Sequence, residues 1–271
     1  MTELQKSELE LLEIFIKICE QLELRYFLVC GTALGAAKYE GFIPWDDDID
    51  VALPREDYEK FLDRVNEFLP KNLFLQNYRT DPLFPHIFSK LRNSDTAYIE
   101  KDIAHLNINQ GIAIDIFPLD GYPKSKVSRF ILRYRKKFLT WQFYCALNDE
   151  DQPVKVRFRN KIFRALGFHK RTAKALSKLD GLISKYSAKD SEIWCNHGNW
   201  QGEREYAPRW HYGKGKIMTF EGLNAVIPEN YDAYLTQKYD DWQREIPENE
   251  QKSHHNVLIF DTKKSYNSYI S

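Results

Sequence analysis

The chain has 271 residues, of which 43% are hydrophobic and 29% charged, and its 39 basic and 39 acidic side chains leave no formal net charge. That length holds one large domain or a core with an elaborated second lobe, and the apolar fraction suffices to bury a sizeable interior. The balanced charge argues against nucleic acid as a partner, and no stretch approaches the roughly 20 apolar residues of a membrane span.

Glu3, Glu8, Glu10 and Glu13 precede any apolar run that could serve as a secretion signal. Cys19, Cys30, Cys145 and Cys195 are scattered and form no C-x-x-C pair, so a reducing, cytoplasmic setting is expected.

In chain order, apolar residues at helical spacing predict an amphipathic helix from Glu8 to Leu24, and Tyr26 to Cys30 reads as a short buried strand. Gly31-Thr32 is expected to end that strand before a helix from Ala33 to Tyr39. After Gly41 and Pro44, Asp48 to Leu53 alternates as a strand does, and Arg55 to Phe68 is helical again. Leu73 to Tyr78, Phe84 to Leu91 and Thr96 to Ile99 follow as strands, then the apolar run Ile112 to Phe117, which Pro118 is expected to close. Val127 to Leu147 and Val156 to Tyr186 predict two long basic helices separated by a turn at Asn148 to Pro153. Lys216 to Ile227 reads as a hairpin around Glu221-Gly222, Asn230 to Trp242 as a helix, and the polar remainder as a loose tail. The fold class expected is α+β, a mixed sheet with flanking helices plus a helical insertion. The parts would be a catalytic core at 1–122, a basic helical lobe at 123–215, and a hairpin and helix at 216–271 that complete the core.

The run Pro44-Trp45-Asp46-Asp47-Asp48-Ile49-Asp50-Val51 crowds carboxylates, and two of them about 4 Å apart repel by roughly 4 kcal/mol at an effective dielectric near 20. Strand periodicity puts Asp48 and Asp50 on one face and Ile49 and Val51 on the other. Such paired oxygens suit Mg²⁺, which keeps water and substrate phosphate in its other positions. Asp115, framed by Ile112, Ile114 and Ile116, is a third acid in an apolar strand where an unpaired charge is costly. Read alone, the acidic run also fits a solvated loop or a helix N-cap. Gly31-Thr32 at a strand-to-helix turn can offer N–H groups and a hydroxyl to a phosphate.

The string GTALGAAKYEGFIPWDDDIDVALPREDYEKF resembles the signature of the LicD family, whose bacterial members transfer phosphocholine and whose animal relatives include fukutin-type transferases. The resemblance continues at Lys90-Leu91-Arg92, at Gly111 to Gly121, at Phe220-Glu221-Gly222 and at Tyr234 to Trp242, and hardly touches the helical middle. It departs at Lys38, where Arg is common, and at Tyr239-Asp240, where Tyr-Gly is common. The resemblance implies a nucleotidyltransferase-like fold in which Asp48, Asp50 and Asp115 are catalytic and hold Mg²⁺ or Mn²⁺. It further implies that Gly31, Thr32, Lys38, Asp46, Lys90 and Arg92 meet substrate or nucleotide. CDP-choline would be the donor and CMP the leaving group, with Asp115 a metal ligand that can also accept the hydroxyl proton. The acceptor would be a glycan or lipid-linked glycan of teichoic acid or lipopolysaccharide type. A sister reaction with ribitol phosphate or phosphoethanolamine, or a non-catalytic choline-glycan binding module, are the alternatives.

Trp194, Trp200 and Trp210 lie close together in sequence and could form a choline cage by cation–π attraction, or simply pack a junction between lobes. Basic residues from Lys124 to Lys178, interleaved with Phe130, Ile131, Phe138, Phe158 and Ile162, suit peripheral contact with the inner face of an anionic membrane, or equally a solvated face. Cys195, His197 and His211 are too few and too irregularly spaced for zinc.

Overall fold

A computed structural model describes residues 1–199, 201–248, 251 and 256–269. Helix α1 (Glu3–Gln21) starts at a capping box: Thr2 Oγ1 accepts from the Gln5 N–H, and the Gln5 side chain accepts from the Thr2 N–H. Its Leu11, Leu12, Phe15 and Cys19 are buried against the sheet. Strand β1 is Phe27–Leu28, and α2 begins at Cys30 (Cys30–Tyr39), so Gly31-Thr32 sits inside the first helical turn rather than before it. Strand β2 is Asp50–Pro54, followed at once by α3 (Arg55–Arg64).

Strands β3 (Leu73–Gln76), β4 (Ser89–Asn93), β5 (Ala97–Glu100) and β6 (Ile112–Gly121) come next. The expected strand from Phe84 to Leu91 is therefore displaced: Phe84–Phe88 is non-strand chain whose rings pack around one another. Pro118 does not close β6. The Asp115 N–H donates to Ile49 O on the β2 side, so alternation turns position 118 toward the opposite edge. On that edge β4 pairing ends at Ile116 and β7 (Ile193–Asn196) pairing begins at Leu119, so no ladder bond is lost to the imide.

The main sheet runs β1-β2-β6-β4-β3, with β7 on β6 and β8 (Tyr206–Pro208) on β7. Only β2 and β6 pair in parallel, so the sheet is mixed. Helices α4 (Lys126–Tyr144), α5 (Val154–Ala165) and α6 (Thr172–Ile183) form the basic middle. The single helix expected from Val156 to Tyr186 is broken at Gly167, whose φ of 75° leaves the helical region. After α7 (Arg209–Tyr212), strands β9 (Lys216–Phe220) and β10 (Leu223–Ile227) form the expected hairpin, with positive φ at both Glu221 and Gly222. Helix α8 (Tyr231–Tyr239) then packs on α2 and α7. Part of the tail expected to be loose is held by strand pairing, since β11 (Val257–Asp261) pairs antiparallel with β5; its residues 249–250, 252–255 and 270–271 lie outside the described residues.

Candidate active site

Asp50 opens β2, and three cross-strand partners define the centre of the site. Asp50 pairs with Asp115 in the parallel ladder, and Asp115 pairs with Lys90 on β4. Side chains opposite one another in a ladder share a face, so a carboxyl, a carboxyl and an ammonium stand in a row across three strands. Lys90 Nζ lies 2.6 Å from Asp115 Oδ1. The start of β2 is pinned by Thr32, whose Oγ1 accepts from the Asp50 N–H at 2.8 Å. The Thr32 hydroxyl, buried at 3% exposure, thus positions Asp50, and Thr32 does not line the acidic cavity, where a phosphate ligand was expected.

The acidic loop before β2 is held from behind. Gln5 Nε2 donates to Asp46 O at 3.0 Å, and Tyr98 Oη donates to Asp47 Oδ2 at 3.0 Å. Gly31 lies against the same loop: a Cβ there would meet Asp46 Oδ2 at 2.6 Å and push that carboxylate aside. Burial raises the Asp50 carboxyl well above the usual range, the charges of Asp48 and Asp115 add to the rise, and a Cys30 hydrogen bond opposes it. Glu8 on α1 is raised in the same way, by burial first and then by Asp48, Asp47, Asp46 and Asp115. Burial leads in both shifts, and the neighbouring acids at this end of the sheet add to it.

These residues line a cavity of about 530 Å³. Among the described residues it holds seven carboxyl groups, from Asp46, Asp47, Asp48, Asp50, Glu100, Asp115 and Asp241, against the cations Lys90 and Arg244. Burial pushes His86 down to about 3, so it adds no positive charge. Among the described residues no three acidic, imidazole or thiol side chains converge closely enough to form a ready-made metal cage. An arrangement of one or two carboxylates completed by substrate phosphate, the usual one for Mg²⁺, does not need such a cage, and the excess of carboxyl groups over cations around Asp50 fits a divalent cation.

Residues 23–144 match the model of the LicD/FKTN/FKRP nucleotidyltransferase-domain family. They form a LicD-family domain. The chain is also 27% identical over 255 residues, 91% of its own length and 92% of the other's, to the lipopolysaccharide cholinephosphotransferase LicD of Haemophilus influenzae. A stretch of 45 residues, 17% of this chain and 15% of the other, is 38% identical to an uncharacterized protein of Rickettsia typhi.

The acidic cavity joins residues of this LicD-family domain to others from 198–246, and not every residue singled out in the sequence reaches it. Lys38 does not line it; its Nζ donates to the carbonyls of Gln243 and Arg244 at 3.1 and 2.7 Å, anchoring the segment that supplies Trp242 and Arg244. Arg92 is 1% exposed and braces the sheet, donating to Gln76 Oε1 and to Gly111 O, so it is a core residue rather than a phosphate ligand. Trp194 is 2% exposed, packs against Tyr212 with ring centroids 5.2 Å apart, and donates its Nε1–H to Ala188 O. Trp210 is exposed on α7 and borders a separate depression with Arg25 and Arg209, so neither ring reaches the acidic cavity. Trp200 lies outside the described residues.

The aromatic wall of the acidic cavity is instead made by Trp45, Phe88, Phe117, Tyr144, Tyr239 and Trp242. Trp45 and the Tyr239–Trp242 pair stood in the strings that carry the family resemblance, which is the signal that could have found them. Tyr144 and the 198–199 segment are brought in by α4 and β7 and had no local signal. The departure at Asp240 also has a structural meaning. Its φ of 59° and ψ of −109° lie in the region that favours glycine.

Proposed function

We propose that this protein transfers phosphocholine from CDP-choline to a hydroxyl of a glycan precursor, of lipopolysaccharide or teichoic acid type, releasing CMP. The observation that carries the reading is the row Asp50–Asp115–Lys90 at the base of an acidic, aromatic-walled cavity, in a chain related along 91% of its length to a cholinephosphotransferase. A nucleotidyltransferase-like use of the sheet follows from the same row. Of Asp48, Asp50 and Asp115, which all line the cavity, one or two would hold Mg²⁺ or Mn²⁺ together with substrate phosphate, and the ion would neutralise diphosphate oxygens and the developing charge on phosphorus. Without a cation, a diphosphate facing seven carboxyl groups is repelled.

In this reaction the acceptor oxygen forms a bond to the phosphorus bearing choline. The bond from that phosphorus to the bridging oxygen breaks, and its electron pair leaves with CMP. Asp115 accepts the hydroxyl proton, with Lys90 holding its carboxylate in place. Trp45, Tyr239 and Trp242 offer faces to a trimethylammonium group, which cannot donate hydrogen bonds and relies on cation–π attraction. This favours choline over ribitol as the alcohol.

The acceptor reading extends to the membrane. Among the described residues no helix is long and apolar enough to cross one. On α4 and α5, however, Phe130, Tyr134, Phe138, Val154 and Phe158 are each more than half exposed, between Arg and Lys residues. We assign this face to the anionic inner leaflet, where a lipid-linked glycan is presented. The decisive assay follows CMP release with CDP-choline, CDP-ethanolamine and CDP-ribitol, with and without Mg²⁺ and glycan acceptor. Release that is metal-independent, or as fast with CDP-ribitol, would reject the reading.

A further inference from the structure

A second cavity, of about 420 Å³, opens beside the acidic one, and His86, Tyr144, Gly198 and Asn199 line both. Its character is the reverse. Arg129, Arg133, Lys136 and Lys137 line it from positions i, i+4, i+7 and i+8 of α4, the spacing that puts side chains on one helix face, while Glu203, 3.9 Å from Arg133, is the one acidic side chain among the described residues that line it. Tyr122 and Tyr206 form an aromatic corner with ring centroids 4.7 Å apart, and Trp141 stands on the α4 side.

His197, 4% exposed, lines the same cavity. Lys136 Nζ is 3.2 Å from its Nδ1, and an ammonium can only donate, so Nδ1 accepts and the ring proton sits on Nε2. That Nε2 is buried and has no hydrogen-bond partner among the described residues. Burial, with Lys136 and Arg55 adding to it, holds the ring neutral, and burial lowers Lys136 as well. A buried donor lacking an acceptor costs about 1–3 kcal/mol, a cost that an oxygen acceptor bound in the cavity would relieve.

We propose that this cavity is the acceptor subsite and that it takes a phosphate-bearing sugar. The inference rests on the transfer reading above and deepens it. The cations of α4 meet the phosphate, the Tyr122–Tyr206 corner stacks on the sugar ring, and the Nε2–H of His197 serves a sugar or phosphate oxygen. The residues shared by the two cavities bring the sugar hydroxyl to the row of Asp115. Neither recognition by the acidic cavity nor the aromatic wall there would select an anionic acceptor; the α4 face does.

Binding measured on the full chain without any donor tests this separately from the reaction. Titration calorimetry with galactose 6-phosphate, galactose and inorganic phosphate is compared for the wild type, Arg133→Gln, Lys136→Gln and the double variant, with thermal melting as the folding control. The sugar phosphate is expected to bind best, to lose roughly 10-fold in affinity in each single variant and more in the double, while galactose binds weakly and insensitively. A wild type that fails to bind galactose 6-phosphate, or a double variant that binds it as well as the wild type, overturns the proposal. Equal affinity for galactose 6-phosphate and inorganic phosphate removes the sugar from it. Loss of phosphatidylglycerol-vesicle binding in the double variant without loss of sugar phosphate binding would reassign these cations to the membrane. Failure of CDP-choline as donor would leave these binding results untouched.

Discussion

Asp50 and Asp115 face each other across the parallel ladder of β2 and β6, and only Asp115 of the two is paired with a cation, Lys90. Their proximity follows from backbone register, so it is present before any ligand binds. Asp50→Asn and Asp115→Asn are each expected to lower turnover at least about 100-fold, roughly 2.7 kcal/mol of transition-state stabilisation. Asp50→Asn should keep or raise the melting temperature, because it removes a buried charge that Asp48 and Asp115 repel. Initial-rate and melting measurements on both variants check this; near-normal turnover in either would dismiss the acidic row as catalytic.

Glu8 carries the same field into α1. Its carboxyl is raised above the usual range by burial and then by Asp48, Asp47, Asp46 and Asp115. A raised acid stabilises the fold fully below its unfolded value, near 4.3, and that contribution is lost as pH climbs toward the raised folded value. Glu8→Gln should therefore melt higher than the wild type by a margin that widens as pH rises above the ordinary Glu range. A margin independent of pH would show that Glu8 does not sense the cluster.

Asp240 holds a left-handed backbone at the C-terminus of α8, and its carboxylate meets Arg204 at 2.9 Å on the surface. An exposed pair of this kind contributes at most about 1 kcal/mol, while the strain of a non-glycine residue costs on the order of 1–3 kcal/mol. Asp240→Gly is expected to raise stability by about 1 kcal/mol in denaturant titration. A loss instead would mean the ion pair outweighs the strain.

The aromatic assignment separates two groups of rings. Trp242→Leu and Tyr239→Leu should lower the preference for CDP-choline over CDP-ethanolamine about 5- to 30-fold, because a primary ammonium keeps hydrogen-bond donors that a quaternary one lacks. Trp194→Leu should leave that ratio unchanged and cost stability, since its ring is packed against Tyr212 and Phe27. Steady-state competition between the two donors reads both outcomes, and a shifted ratio in Trp194→Leu alone would return the cage to the expected place.

Phe130 and Phe158 stand 61% and 65% exposed on α4 and α5. Co-sedimentation with vesicles containing anionic lipid should fall with salt, as exposed charges are screened beyond about 10 Å at 0.1 M, and should fall further in the Phe130→Ser, Phe158→Ser double variant. Binding that is equal on neutral vesicles would leave these side chains without a membrane role.

Local pattern was enough for most of α1, the hairpin around Glu221-Gly222, a strand through Asp50 to Leu53 and the strand that carries Asp115, because each depends on the order of side chains within a few residues, although β2 starts at Asp50 and leaves Asp48 in the preceding loop. The strings that resemble the LicD family also contain Trp45, Tyr239 and Trp242, although nothing local marked them as one wall. What the tertiary structure alone decided was pairing and partnership. Pro118 is tolerated because β4 and β7 meet at that point of β6, and β11 is held because β5 offers it an edge. Lys90 and Arg92, two residues apart on one strand, divide into a salt bridge with Asp115 and a brace within the core. Trp194 was drawn into packing by Tyr212 and Phe27, while Tyr144 came to the cavity on a helix nearly 100 residues from the acidic run. Short-range sterics and periodicity are written along the chain, but burial, charge compensation and which rings share a wall depend on segments distant in sequence, and those exist only once the sheet is assembled.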